Sequence, residues 1–138
     1  MTQADTTNVR DLTPTVQTIL AEGANQGFEG MRRIARVIHS RTQLPRWKGM
    51  TSDTVVQQPK QFSGWERKDR MDFLAQQPRA VVEQAIEADK KGSGDVAKGK
   101  VWADHYLTTD LATSPKAPSW VKSMKLVERY GKHSFFKE

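Results

Sequence analysis

A mainly helical α+β fold is the class this sequence predicts, and three observations carry it. Apolar residues recur at helical spacing from Val16 to Ile38 and again from Val81 to Ile86. Short segments near the C-terminus, 101–107 and 133–136, have the character of strands. The 138 residues suit one domain with one core.

Taken in order, positions 1–10 form a polar arm, expected to be flexible. Asp11 or Thr13 can cap a first helix, and Pro14 suits its opening turn. Val16, Ile19, Leu20 and Gly23 share the face that packs inward, and Asn25, Gln26 and Gly27 break the helix, leaving Glu22 on its last turn. A second helix is predicted over 28–41, with Met31, Ile34, Ala35 and Ile38 as its buried stripe and Arg32, Arg33, Arg36 and Arg41 mostly on the solvated side. Pro45 closes this section. The stretch 47–65 reads as loops, with at most short strands around 54–57, and 69–76 as a helical turn or two. Pro78 opens another helix, which Val81, Val82, Ala85 and Ile86 carry to about position 91. Residues 90–100, rich in Gly and Lys, are expected to form a mobile loop. A strand over 101–107, a loop over 108–118, a last helix over 120–129 ending at Gly131 and a closing strand over 133–136 complete the chain. No repeat or linker divides it, so 11–138 is predicted to be a single domain.

Composition narrows the function. Hydrophobic residues at 36% and charged residues at 28% are globular values. The absence of cysteine excludes disulfides, a thiol nucleophile and Cys-ligated metal. A formal charge of +6, from 22 Lys plus Arg against 16 Asp plus Glu, favours an anionic polymer as partner: nucleic acid, a phospholipid surface or a wall polymer. No apolar run approaches the roughly 20 residues that a membrane span needs. The first residues have neither the basic start nor the apolar stretch of a secretory leader, and no lipidation signal is present, so the expectation is a protein made in the cytoplasm. A P-loop, a dinucleotide fingerprint, a G-x-S-x-G elbow and recognisable nucleic-acid motifs are all missing.

Three constellations can carry chemistry. Glu22, at a helix end beside the small residues Gly23, Ala24 and Asn25, is either a solvated carboxylate or an acid open to a bulky substrate. Gln61, Phe62, Ser63, Gly64 and Trp65 combine an amide, a hydroxyl and an indole, the groups that grip a sugar; a turn with two core aromatics reads equally well. His105 and Tyr106, Trp120, and His133 stand in late aromatic-rich segments. A zinc site from His105, His133 and Glu22 or Asp104 has no recognised ligand spacing behind it.

The order of these pieces resembles the spore-cortex-lytic (SleB-like) cell wall hydrolases of spore formers and bacteriophages. Their E-x-R-G-E-P-x-x-G corresponds to Glu22 through Gly30, followed by an apolar helix closing on Ser40 and Arg41. Their Q-P-x-Q-F-S-x-W matches Gln58, Pro59, Lys60, Gln61, Phe62, Ser63, Gly64 and Trp65. A-x-H-Y falls on Ala103 to Tyr106, P-x-W-A on Pro118 to Val121, and G-x-H-x-F-[FY] on Gly131 to Phe136. The resemblance implies a lysozyme-like, lytic-transglycosylase-like domain. It implies cleavage of the β-1,4 bond between N-acetylmuramic acid and N-acetylglucosamine, by hydrolysis or by attack of the muramic acid 6-hydroxyl. Glu22 takes the place of the catalytic acid. Gln61, Ser63, His105, Tyr106 and His133 would position sugars, and Trp65 and Trp120 would stack on them or pack the core. Ala24, Gln26 and Ser40 depart from the family's arginine, second glutamate and asparagine, so a second carboxylate, if used, would have to be Asp104 or Asp53. No cofactor or metal is implied. The expected partner is peptidoglycan, without nucleic acid or membrane insertion, bound by a monomer. The expected setting is a phage endolysin held in the host cytoplasm until a holin releases it to the wall, or else a virion-associated lysin. Two other readings stay open: a zinc-dependent amidase or peptidase built on His105 and His133, and a non-catalytic basic binder of wall or nucleic acid.

Overall fold

The computed structural model describes residues 8–99 and 101–138, so most of the N-terminal arm lies outside the described residues. Residues 8–11 are tied down. Asn8 caps a 3-10 turn, Val9–Asp11, and Val9 is buried.

Thr13 and Pro14 start the first helix as the sequence predicts. The Thr13 hydroxyl accepts from the Val16 amide at 3.1 Å, and Pro14 occupies the opening turn of α1, Pro14–Gly23. Val16, Ile19 and Leu20 face the core. After a tight turn, α2 (Gly27–Arg41) runs through the middle of the molecule. Met31, Ile34, Ala35 and Ile38 are fully buried, and so is Val37, which belongs to a second apolar cluster with Ala103 and Phe135. The helix is therefore apolar on more than one face, because helices cover one side and a sheet the other.

Arg41 corrects the expectation of a solvated arginine row. It is only 4% exposed. Its Nε donates to the Asp104 carbonyl at 2.8 Å, its Nη1 to the Gln61 side-chain oxygen at 3.2 Å, and its guanidinium lies between the Trp47 and Phe62 rings. Burial pulls its pKa down to about 10, against the opposing charges of Tyr106 and Asp104. Arg32, Arg33 and Arg36 are also largely covered, with side chains 26%, 15% and 24% exposed, and are paired with acids.

The stretch read as loops has turns over 48–51 and 57–62, but short helices stand where short strands were expected and at its end. It holds α3 (Ser52–Val56), capped by the Thr51 hydroxyl, and α4 (Ser63–Glu66). Val55 and Val56 are buried despite their preference for strands, because tertiary burial outweighs that weak propensity. Next come α5 (Arg70–Ala75) and the long α6 (Arg79–Ala97). The mobile loop expected over 90–100 is not observed: α6 continues through Gly92, Ser93 and Gly94. Gly92 permits this, since a Cβ there would lie 2.5 Å from that of Ala35. The close approach of α6 to α2 is clamped by Asp95, which accepts from Arg32 and Arg36 at 2.7–2.9 Å.

Strand β1 (His105–Thr108) and the short helix α7 (Thr109–Ala112) follow. The helix expected over 120–129 stops after one turn, α8 (Trp120–Ser123), and the rest is strand β2 (Lys125–Tyr130). Gly131, read as a helix stop, sits in the hairpin turn to β3 (His133–Lys137). The sheet is antiparallel in the order β1-β3-β2, with an irregularity between Leu126 and Glu128. Arg33 fixes it to α2 by pairing with Glu128 at 2.9 and 3.1 Å while covering the Tyr130 ring at 3.8 Å. The fold is thus α+β and mainly helical. No helix among the described residues is long and apolar enough to cross a membrane.

Candidate active site

Glu22 lies on the last turn of α1, and groups from two other elements converge on its carboxylate. Buried Phe62 anchors the start of α4, whose first residues then turn toward α1. Glu22 Oε2 accepts from the Gly64 amide and from the Ser63 hydroxyl at 3.2 Å. Gly64 has no side chain to spare here: a Cβ would stand 2.6 Å from Oε2 and 2.9 Å from the Ala21 Cβ. From β1, the Tyr106 hydroxyl donates to Oε1 at 2.6 Å. Burial, reinforced by the charge of Glu22, pushes the Tyr106 hydroxyl well above its ordinary 10, so it keeps its proton.

Strand pairing decides what else joins this cluster. Tyr106 pairs with Phe135, and Thr108 with His133, so Tyr106, Phe135 and His133 share the sheet face toward Glu22. The His133 ring meets Tyr106 edge-on at 5.3 Å. Burial holds its imidazole below 6.5, with the charge of Glu22 opposing, and the ring is neutral at pH 7.

Two depressions of about 370 and 400 Å³ meet at Ala21, Glu22 and Arg67. Ser63, Gly64 and His133 line one; Ala24, Asn25, Phe73 and Gln77 line the other. Glu22 therefore stands at the middle of an open polar groove.

The other sequence candidates lie elsewhere. His105 alternates with Tyr106 along β1 and faces the opposite side, between Trp47 and Trp120, with its Nδ1 2.8 Å from Asp104 Oδ1. Burial pulls its pKa below 6.5 against the pull of Asp104. Trp120 packs on His105 and Phe136, also away from Glu22. Trp65 is half-buried against the core beneath Arg70, whose guanidinium is 3.8 Å from its ring centroid. Gln61 is exposed and is held by Arg41. Among the groove residues the sequence did not single out are the Gly64 amide and Arg67. Arg67 follows Trp65 by two positions, so the sugar-grip segment was the signal that pointed toward it.

Neither proposed second carboxylate reaches the groove. Asp53 accepts from the Thr15 amide and hydroxyl at the far end of α1. Asp104 is buried, and its carboxylate accepts from the Glu138 amide at 3.3 Å besides facing His105. A shared zinc between His105 and His133 does not fit their opposite sheet faces. Among the described residues, ligand atoms of Asp104, His105 and Glu138 lie within 4.8 Å of one another. Asp104 is already engaged as described, and Glu138 pairs with Arg46 at 2.9 Å.

Fold and groove together define a small, mainly helical protein with one hydrogen-bonded carboxyl facing an extended polar cleft. The family model described as Cell Wall Hydrolase matches residues 25–136, beginning just after Glu22. This chain belongs to the SleB-like cell wall hydrolase family. It is accordingly an enzyme that acts on the cell wall, and its substrate is peptidoglycan. No curated protein and no solved structure matches the chain.

Proposed function

We propose that the chain cuts the glycan strands of peptidoglycan at the β-1,4 bond between N-acetylmuramic acid and N-acetylglucosamine, with Glu22 as general acid, in a lysozyme-like catalytic arrangement. The observation that carries this is the position of Glu22 where two depressions meet, which leaves room for sugars on both sides of the bond being broken. Protonated Glu22 gives its proton to the bridging oxygen as the bond to the muramic acid C1 breaks. The carboxylate left behind then takes the proton of the muramic acid 6-hydroxyl as that oxygen bonds to C1, closing a 1,6-anhydro ring. One carboxyl serves both halves, acid then base. Glu22 is the one carboxylate among the residues lining the groove, which favours this lytic transglycosylase route over hydrolysis with two carboxylates.

Mass spectrometry of a peptidoglycan digest tests the reading. Anhydro-muropeptides are expected, and Glu22→Gln should lower the rate by about 10²–10⁴-fold. New reducing ends would instead indicate a muramidase. Free stem peptides, or a Glu22→Gln protein as active as the parent, would overturn the reading. The cellular setting we propose is lysis from within by a phage endolysin. Cytoplasmic expression should then lyse cells only when a holin is present.

A further inference from the structure

Arg67 is the one cation among the residues lining both depressions, and Glu22 the one anion, since His133 is neutral at pH 7. Its position is fixed from two sides. Asp69 accepts from its Nε at 2.6 Å and from its Nη2 at 3.1 Å, and the Phe73 ring lies 4.1 Å from the guanidinium carbon. Guanidinium carries five N–H donors in a rigid plane. The pairing with Asp69 uses the side edge and leaves Nη1 with no acceptor among the described residues. The side chain is 35% exposed and lines both depressions, so its remaining N–H donors are open to the groove.

Resting on the reading of Glu22 as a glycan-cleaving acid, the substrate has few groups that such an edge can recognise. N-acetylglucosamine is uncharged, and muramic acid loses its lactyl carboxylate when that group is joined to peptide. The anions of peptidoglycan are the carboxylates of the stem peptide, which hangs from the muramoyl sugar beside the bond to be cut. We infer that Arg67 binds a stem-peptide carboxylate and makes the enzyme prefer peptide-bearing over bare glycan strands. An end-on Arg–carboxylate contact is charge-assisted and oriented. Because Asp69 already offsets part of the charge, the expected preference is about tenfold, at the low end for a charged hydrogen bond.

Three substrates test this: intact peptidoglycan; strands stripped of peptide by an amidase and then capped with methylamine at the lactyl carboxylates that stripping exposes; and intact peptidoglycan whose carboxylates are capped with methylamine. The wild type should cut the intact form with a kcat/KM about tenfold above the other two, mostly through KM. In Arg67→Gln the ratio should fall to about one, with Arg67→Lys in between. Equal wild-type rates on all three substrates would sink the proposal. So would an Arg67→Gln enzyme that slows on all three while keeping the ratio, because that pattern belongs to a structural role. A wild type that cuts glycan without preference defeats the Arg67 inference alone, whereas one that cuts no glycan at all removes the Glu22 reading as well.

Discussion

At Glu22 the Gly64 amide can only donate, whereas the Ser63 and Tyr106 hydroxyls can donate or accept. That mixture suits a carboxyl that must exist in both protonation states during one turnover. When Oε1 carries the proton, the Tyr106 hydroxyl can turn to accept it; when the carboxylate returns, the same hydroxyl donates. Tyr106→Phe should therefore lower kcat by about ten- to a hundredfold with KM little changed, while far-UV circular dichroism stays native. Gly64→Ala should do more damage, because the new methyl would displace the Glu22 carboxylate. Its activity should approach that of Glu22→Gln, and a crystal structure should show Glu22 turned out of place. Of these groups, Glu22, Ser63 and Tyr106 were legible in the sequence from side-chain type and block order. The Gly64 amide was not, because a backbone donor has no residue type to announce it.

The helix α6 and the strand β2 show how neighbours override local preference. Gly, Ser and Gly at positions 92–94 weaken a helix in isolation, which is why a loop was expected. The helix persists because α2 lies against it, closest at Ala35, and because Asp95 bridges Arg32 and Arg36. Gly92→Ala puts this to a test in which two effects oppose. Helix propensity favours alanine by about 1 kcal/mol, but overpacking against Ala35 costs about 1–3 kcal/mol. The variant should be less stable by urea titration, and a gain in midpoint would show that α2 gives way easily. In β2, residues that could extend a helix instead pair with β3. The hairpin turn is also tied to α2, where Gln26 Oε1 accepts from the Lys132 amide at 3.5 Å. Gln26 thus reaches the turn leading to His133.

Across the whole molecule, arginines of α2 join the layers: Arg32 and Arg36 reach Asp95 on α6, and Arg33 reaches Glu128 on β2. Hydrogen bonding from Arg32, then Arg36, holds the Asp95 carboxyl well below the usual carboxylate range. Its folded value is the lower one, so its stabilisation is complete above the unfolded value of about 4 and is lost as pH falls toward the folded value. The gap in urea midpoint between the parent and Asp95→Asn should be constant near neutrality and narrow below about pH 4. His105 and His133 act at higher pH. Both are held below 6.5 when folded, so the unfolded chain takes up protons first. Stability should be full above about pH 6.5 and decline as pH falls through it. Replacing both histidines by Gln should flatten that part of the curve.

The sequence by itself determined the first two helices, the closing strand, the α+β class and Glu22 as the acid to test. Those features follow from helical spacing, caps and the order of short blocks, all of which are local along the chain. Only the tertiary structure decided that His105 and His133 cannot share a ligand, since that depends on strand pairing and alternation. It alone buried Arg41, extended α6 through its glycines, and set Arg67 beside Glu22. Arg41 and Gly92 are fixed by partners 20 or more positions away, Asp104 and Gln61 for the one and Ala35 for the other, and Arg67 meets Glu22 from 45 positions away in the groove; such distances leave no local trace.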